Sequence, residues 1–218
     1  MDAVNECYNP RAQVQVMNSQ ALGAHYLEDA LRTFRDYKKL AEHAFGQIED
    51  EDFFRTIDPE SNNIAINMKH LAGNMISRWT DFLTTDGEKP ERDRDQEFVT
   101  APGTTKAAML AYWEEGWRCL FDALEPLTSD DLMRAIRIRG QEHTVVQAIN
   151  RQLAHYAYHV GQIVYLAKHF KSSDWRSLSV PKNKSAEFNQ YLEEKLKSGA
   201  STGEGRFDAG REFASKNT

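Results

Sequence analysis

The sequence predicts an all-α fold: a four-helix bundle in a single domain over residues 1–197, followed by a disordered tail over residues 198–218. Three observations predict it. Four long segments repeat apolar residues at steps of three and four, which places those residues on one face of a helix. The 218 residues suit one domain with a full-sized core. The mean hydropathy of -0.66 fits helices whose outer faces are heavily charged.

The first two helices are predicted over residues 19–47 and 63–84. In the second, Ser61, Asn62 or Asn63 can accept the free backbone N–H groups of the first turn and so mark its start. Its apolar stripe consists of Ile64, Met68, Leu71, Met75, Trp79 and Phe82. The turn Asp86-Gly87 follows it, and residues 87–98 then form a polar segment with charges of both signs.

The remaining elements follow the same logic. A third helix begins at Thr104 or Thr105 and ends before Pro126. A short hairpin is predicted between Leu132 and Val146, turning at Gly140, before a fourth helix over residues 146–170. A C-terminal strap over residues 175–181 and a short helix over residues 185–196 precede the tail, whose Gly, Ser and charge content predicts disorder.

Composition excludes several classes of function. No stretch approaches the roughly 18 consecutive apolar residues of a membrane span, and the first ten residues carry acids where a signal peptide would be basic. A net charge of -6 with scattered basic residues argues against a nucleic-acid partner. Cys7 and Cys119 form neither a redox pair nor a zinc motif. We therefore expect a cytoplasmic protein without a membrane or nucleic-acid partner.

His155 and His159 lie four residues apart on the predicted fourth helix, one turn from each other on the same face, which is a spacing that can chelate one metal ion. At about 100° per residue, with Ile149 as zero, they fall near 240° and 280°, beside the apolar stripe. The spacing alone is a weak signal, because helices rich in histidine show it by chance.

His70 falls near 240° on the second helix by the same count from Ile64, on a flank shared with Asn67 and Asn74. Two such flanks can face each other in a bundle and give three imidazoles to one ion. Periodicity alone slightly favours the other interpretation, in which His70 is only a polar residue on that flank. Spacing does not show that the two helices touch.

The other histidines are interpreted as structural. His25 and His43 have no acid or histidine at a chelating step, His143 belongs to the hairpin, and His169 ends the fourth helix, where a cation complements the helix dipole.

The segment Arg151-Gln152-Leu153-Ala154-His155-Tyr156-Ala157-Tyr158-His159-Val160-Gly161-Gln162 resembles the last core helix of the DinB-like superfamily. Its members are four-helix bundles with one histidine on the second helix and an HxxxH pair on the fourth, and His70 in Lys69-His70-Leu71-Ala72-Gly73-Asn74 matches the first ligand by position. An uncharacterised bacterial subgroup is also similar in residues 86–98, 138–140 and 178–189. The resemblance covers roughly residues 20–190, and it implies a three-histidine metal site of His70, His155 and His159.

Characterised DinB-like relatives include transferases and isomerases that use low-molecular-weight thiols, so the resemblance implies a metal but not one reaction. The first hypothesis is a metal-dependent thiol transferase or hydrolase with a small-molecule substrate, a divalent ion such as Zn or Ni, and a low-molecular-weight thiol as co-substrate. Gln152 and Gln162 could orient ligands. The polar segment after Gly87 either is solvated or folds back as a lid that brings Arg92, Asp93, Arg94 or Asp95 to an anionic substrate.

The alternative is a non-catalytic, metal-stabilised binding or stress-response protein. It is favoured by the lack of an obvious general base, since no acid lies within four residues of His155 or His159. In either case we expect a homodimer.

Overall fold

The computed structural model describes residues 19–203 and 205–216. These residues form an all-α fold with one small β-hairpin, as the sequence predicts. The helices are α1 (Ser19–Phe45), α2 (Asp50–Phe54), α3 (Ile64–Trp79), α4 (Lys106–Leu124), α5 (Val145–Lys171), α6 (Ser185–Lys197) and α7 (Asp208–Lys216). The strands are β1 (Ala135–Ile138) and β2 (Gln141–Thr144). Within the described ranges, none of these helices combines the length and the apolar character that crossing a bilayer requires.

Three of the long helices begin at side-chain caps. Asn63, one of the three candidate caps, starts α3, and its side chain accepts the backbone N–H of Ile66 at 2.8 Å. The Thr105 hydroxyl accepts a first-turn N–H of α4 at 3.2 Å. Thr144 and Gln147 form a reciprocal capping box at the start of α5. These local bonds fix where the helices that carry the site begin.

The helix α3 ends at Trp79, so its predicted end at Thr84 is wrong. Asp81 adopts a left-handed conformation with φ of 46°, and its carbonyl accepts the backbone N–H groups of Thr84 and Thr85 at 3.0 Å each. The helical ladder stops there, although Phe82 continues the apolar pattern and is buried. The prediction placed the end of the helix too late because it relied on the spacing of apolar residues alone.

Each of the four long helices packs against two others. Helices α1 and α3 both contact α4 and α5. The side chains of Phe34 (α1), Trp117 (α4) and Tyr156 (α5) meet in the core, with ring centroids 5.7 to 6.5 Å apart. Helices α3 and α4 approach so closely that a Cβ on Gly116 would lie 2.8 Å from the Cα of Ala72. This packing holds α3 beside α5.

The predicted hairpin is present, and it anchors the polar segment after α3. Strands β1 and β2 pair antiparallel, and the turn between them places Arg139 and Gly140 at φ of 55° and 73°, as a two-residue hairpin turn requires. The Asp86 carboxylate accepts the backbone N–H groups of both turn residues, at 2.8 and 2.7 Å. The backbone N–H of Gly87 also donates to Arg137 at 2.8 Å.

The C-terminal part contains more structure than the sequence predicts. Residues 175–181 form the expected strap without regular secondary structure, and the side chain of Gln47, just after α1, accepts the backbone N–H of Arg176 at 2.8 Å. The tail, however, contains helix α7 where we expected disorder. Phe213 of α7 is 4% exposed and packs on Phe188 and Tyr191 of α6. A single large aromatic residue, Phe213, did not predict a helix in so polar a segment.

Candidate metal centre

The structure brings the three predicted histidines together between α3 and α5. Helices α3 and α5 are in contact, which spacing could not establish. The Nε2 atoms of His70 and His155 lie 3.3 Å apart, and one potential ligand atom from each histidine lies within 4.8 Å of the others. His70 and His159 are buried, with exposed fractions of 4% and 8%, whereas His155 is partly exposed. The cluster is therefore reached from solvent on the His155 side.

Amide side chains hold the two histidines of α5 in one tautomer. The Nδ1 of His159 lies 2.9 Å from Asn67 Oδ1 and 3.1 Å from Gln162 Oε1, and the Nδ1 of His155 lies 3.3 Å from Gln152 Oε1. An amide oxygen only accepts, so both Nδ1 atoms carry the hydrogen and both Nε2 atoms keep a free lone pair. Imidazoles that bind metal ions are oriented in this way by their second ring nitrogen.

Glu97 plays the corresponding part for His70. It lies in the polar segment after α3, in a single 3-10 turn over Asp95–Phe98, and its Oε2 accepts from His70 Nδ1 at 2.8 Å. Arg92 holds the same carboxylate with two bonds, from Nε at 2.7 Å to Oε1 and from Nη2 at 2.9 Å to Oε2. Burial on its own raises the pKa of Glu97, but the bonds from His70 and Arg92 outweigh it, so the pKa lies below the ordinary value.

A glycine on α3 makes room for this carboxylate. A Cβ on Gly73 would lie 2.3 Å from Glu97 Oε1 and 2.9 Å from its Cδ, which is closer than non-bonded atoms approach. Gly73 lies three residues after His70, on the neighbouring turn of the same helix. Any side chain at position 73 would therefore compete with the carboxylate for the same space.

Burial keeps the α5 histidines uncharged. It is the largest cause that lowers the pKa of His155 to about 3 and that of His159 to about 4, and repulsion from the neighbouring histidines adds to it. Neutral imidazoles are the form that binds metal ions. The ligand nitrogens of His155 and His159 are thus free of protons at neutral pH.

The polar segment proves to be partly internal, and sequence reasoning missed its main residue. Glu97 is 6% exposed, and helical spacing could not point to it because it lies 27 residues after His70 and outside the two helices that carry the histidines. Arg92 pairs with Glu97 and Glu88 rather than facing solvent. The resemblance to related sequences over residues 86–98 was the one signal that pointed to this segment.

The other histidines lie outside the cluster, as expected. His43 contacts the carbonyl of Lys39 at 2.6 Å, and His169 stacks on Tyr165. Neither these two nor His25 and His143 belong to a group of potential metal ligands within the described residues.

The fold and the cluster define an all-α protein with three buried or half-buried histidines that lie close enough together to hold a metal ion. Comparison with known families matches residues 21–184 to the family described as protein of unknown function (DUF1572). The chain belongs to this family, and the match includes all three histidines and Glu97. No curated protein matches the sequence.

Proposed function

We propose that this chain is a DinB-like metal-binding protein in which His70, His155 and His159 hold one divalent ion, Zn or Ni, and that it acts as a thiol transferase or hydrolase on a small molecule. The observation that carries the proposal is the set of hydrogen bonds that the second ring nitrogen of each histidine makes. Each histidine has its Nδ1 bonded to an acceptor, and the Nε2 atoms of His70 and His155 face each other at 3.3 Å. Histidines that merely filled a polar gap would not need one common tautomer.

The donor set fits such an ion. Three nitrogen ligands suit Zn or Ni, and they leave at least one coordination position for water or substrate. When bound, the ion would lower the pKa of a water or thiol at that position and so supply a nucleophile at neutral pH. Gln152, Asn67 and the Glu97–Arg92 pair would keep the imidazoles in place, and the partial exposure of His155 gives a ligand its way in.

The packing of the long helices supports the DinB-like part of the proposal. Helices α1, α3, α4 and α5 contact one another in a closed ring, as in a four-helix bundle. The single histidine lies on the second of these helices and the HxxxH pair on the last. Both features agree with the resemblance of the sequence.

One observation favours the non-catalytic alternative, a metal-stabilised binding protein. Glu97 is the carboxylate that contacts the cluster, and both of its oxygens are already bonded, to Arg92 and His70. It therefore serves to position groups rather than to accept a proton from a substrate. An enzyme built this way would depend on the ion and on the substrate's own groups.

Metal analysis of the purified protein tests the proposal. We expect about one divalent ion per chain in the wild type and in His25→Ala, which removes an exposed histidine outside the cluster, and a large loss in His70→Ala. The absence of a stoichiometric ion, or retention of it in His70→Ala, would refute the metal site. A metal-loaded protein should then be assayed for thiol transfer and for ester and amide hydrolysis. Metal without turnover would favour the binding alternative.

A further inference from the structure

The two helices that supply the histidines carry an unusual charge for this chain. The protein has a formal net charge of -6, yet neither α3 nor α5 contains an aspartate or glutamate. Their charged residues are Lys69 and Arg78 on α3 and Arg151, Lys168 and Lys171 on α5. Neither helix therefore contributes a negative charge beside the cluster.

The immediate surroundings of the cluster add no net negative charge. Imidazoles bind a metal ion in their neutral form, and the amides of Asn67, Gln152 and Gln162 are neutral as well. The charge of Glu97 is cancelled by Arg92, which binds both its oxygens. A divalent ion would thus bring two positive charges into a largely buried site without compensation, and an uncompensated buried charge is costly. An anion from solution would remove this cost.

Besides Arg92, a further arginine, Arg94, lies near the cluster. The Arg94 guanidinium lies 4.9 Å above the ring of Phe98, and that ring is 5.0 Å from the ring of His70. Arg94 is exposed, and no carboxylate among the described residues forms an ion pair with it. Phe98 thus contacts both this exposed guanidinium and a histidine of the cluster.

We propose that the ligand of this site is a small dianion, with one carboxylate or similar group at the ion, its carbon chain against Phe98, and its second anionic group bound by Arg94. This inference rests on the proposed metal site and specifies the class of molecule it takes. Arginine suits this part because its planar guanidinium binds a carboxylate with two parallel hydrogen bonds. Arg92, four residues from Glu88 and bonded to it, is already committed and cannot serve.

Cobalt-loaded protein provides the test, because the visible spectrum of Co²⁺ changes when a ligand enters its coordination sphere. Malonate, succinate and glutarate are titrated, each beside its half-amide, in which a neutral amide replaces the second carboxylate. Together the three chain lengths cover the possible spans between ion and guanidinium. For at least one acid we expect a Kd about tenfold lower than that of its half-amide, which is well above the statistical advantage of a symmetric ligand.

The advantage should disappear in Arg94→Gln and persist in Arg118→Gln. Arg118 is an exposed arginine of α4 that lines a different groove, beside Trp79 and Cys119, so its loss changes the net charge equally. If all three acids bind no better than their half-amides, or if the advantage survives Arg94→Gln, the dianion inference is wrong and the metal site stands. A protein that gives no cobalt spectrum, or gives the same one after His70→Ala, overturns the metal site and the inference with it.

Discussion

Glu97→Gln offers a direct test of how the site is held. Glu97 accepts three hydrogen bonds, from His70 at 2.8 Å and from Arg92 at 2.7 and 2.9 Å. Glutamine has the same shape but only one accepting oxygen, so its NH₂ group must face a donor on one side. The substitution therefore loses at least one charge-assisted bond and also the charge that compensates Arg92, which is almost fully buried.

The expected effect is on metal affinity first. Loss of the group that orients a metal-binding histidine typically costs about 10- to 100-fold in affinity, or roughly 1.4 to 2.7 kcal/mol. Arg92 keeps its bond to Glu88 at 3.1 Å, so the variant should still fold. The Kd for Zn²⁺ is measured by competition with a chromophoric chelator, and circular dichroism confirms the helix content.

Glu88→Gln is the matched control. Glu88 binds Arg92 at 3.1 Å and Arg139 at 3.2 Å, but no histidine. Its substitution removes the same charge from the same segment, and we expect less than about a threefold change in Kd, because groups that do not touch the ligand shell contribute little. Equal Kd values for the wild type and Glu97→Gln, or equal losses in both variants, would show that the carboxylate does not orient His70.

Three further predictions concern packing and protons. Gly73→Ala should raise the Kd for Zn²⁺ about tenfold by displacing the Glu97 carboxylate, even though alanine is the better helix former; Zn²⁺ binding equal to wild type would contradict this. Gly116→Ala should lower the free energy of unfolding by about 1–3 kcal/mol because its Cβ would overlap Ala72, and urea denaturation measures it. In the metal-free protein, burial lowers the pKa values of the α5 histidines to about 3 and about 4, so the unfolded chain binds more protons below pH ~6.5. As the pH is lowered from about 6.5 to about 3, the free energy of unfolding should therefore decrease, and a variant with glutamine at both positions should show a smaller decrease.

The helices and their caps could be predicted because both depend on residues close in sequence. Apolar residues at helical steps and side chains such as Asn63 and Thr105 fixed the starts of α3 and α4. The end of α3 could not be read in the same way, since the left-handed turn at Asp81 interrupts a pattern that Phe82 continues. Helix α7 was missed because its packing on α6 involves few apolar residues in a polar tail.

In the candidate site, too, residues close in sequence could be predicted and residues brought together by tertiary packing could not. His155 and His159 share one helix, so their proximity follows from spacing alone. Adding His70 requires that α3 and α5 touch, which the angular positions of the histidines allow and the resemblance to related sequences suggested. Neither helical spacing nor the resemblance could predict the contact of Glu97 with His70, because it depends on how a polar loop folds back on α3.

That loop is held at both ends, which bears on what it does. At its start, the Asp86 carboxylate binds the turn of the hairpin through two backbone N–H groups. At its end, the Lys69 ammonium donates to the carbonyls of Gln96 and Val99, and Lys69 precedes His70 directly on α3. A segment tied to the neighbouring residue of a ligand, and to a separate hairpin, cannot open without breaking several bonds. The loop is therefore better understood as a fixed wall of the site than as a lid, and the partly exposed His155 marks where a ligand enters.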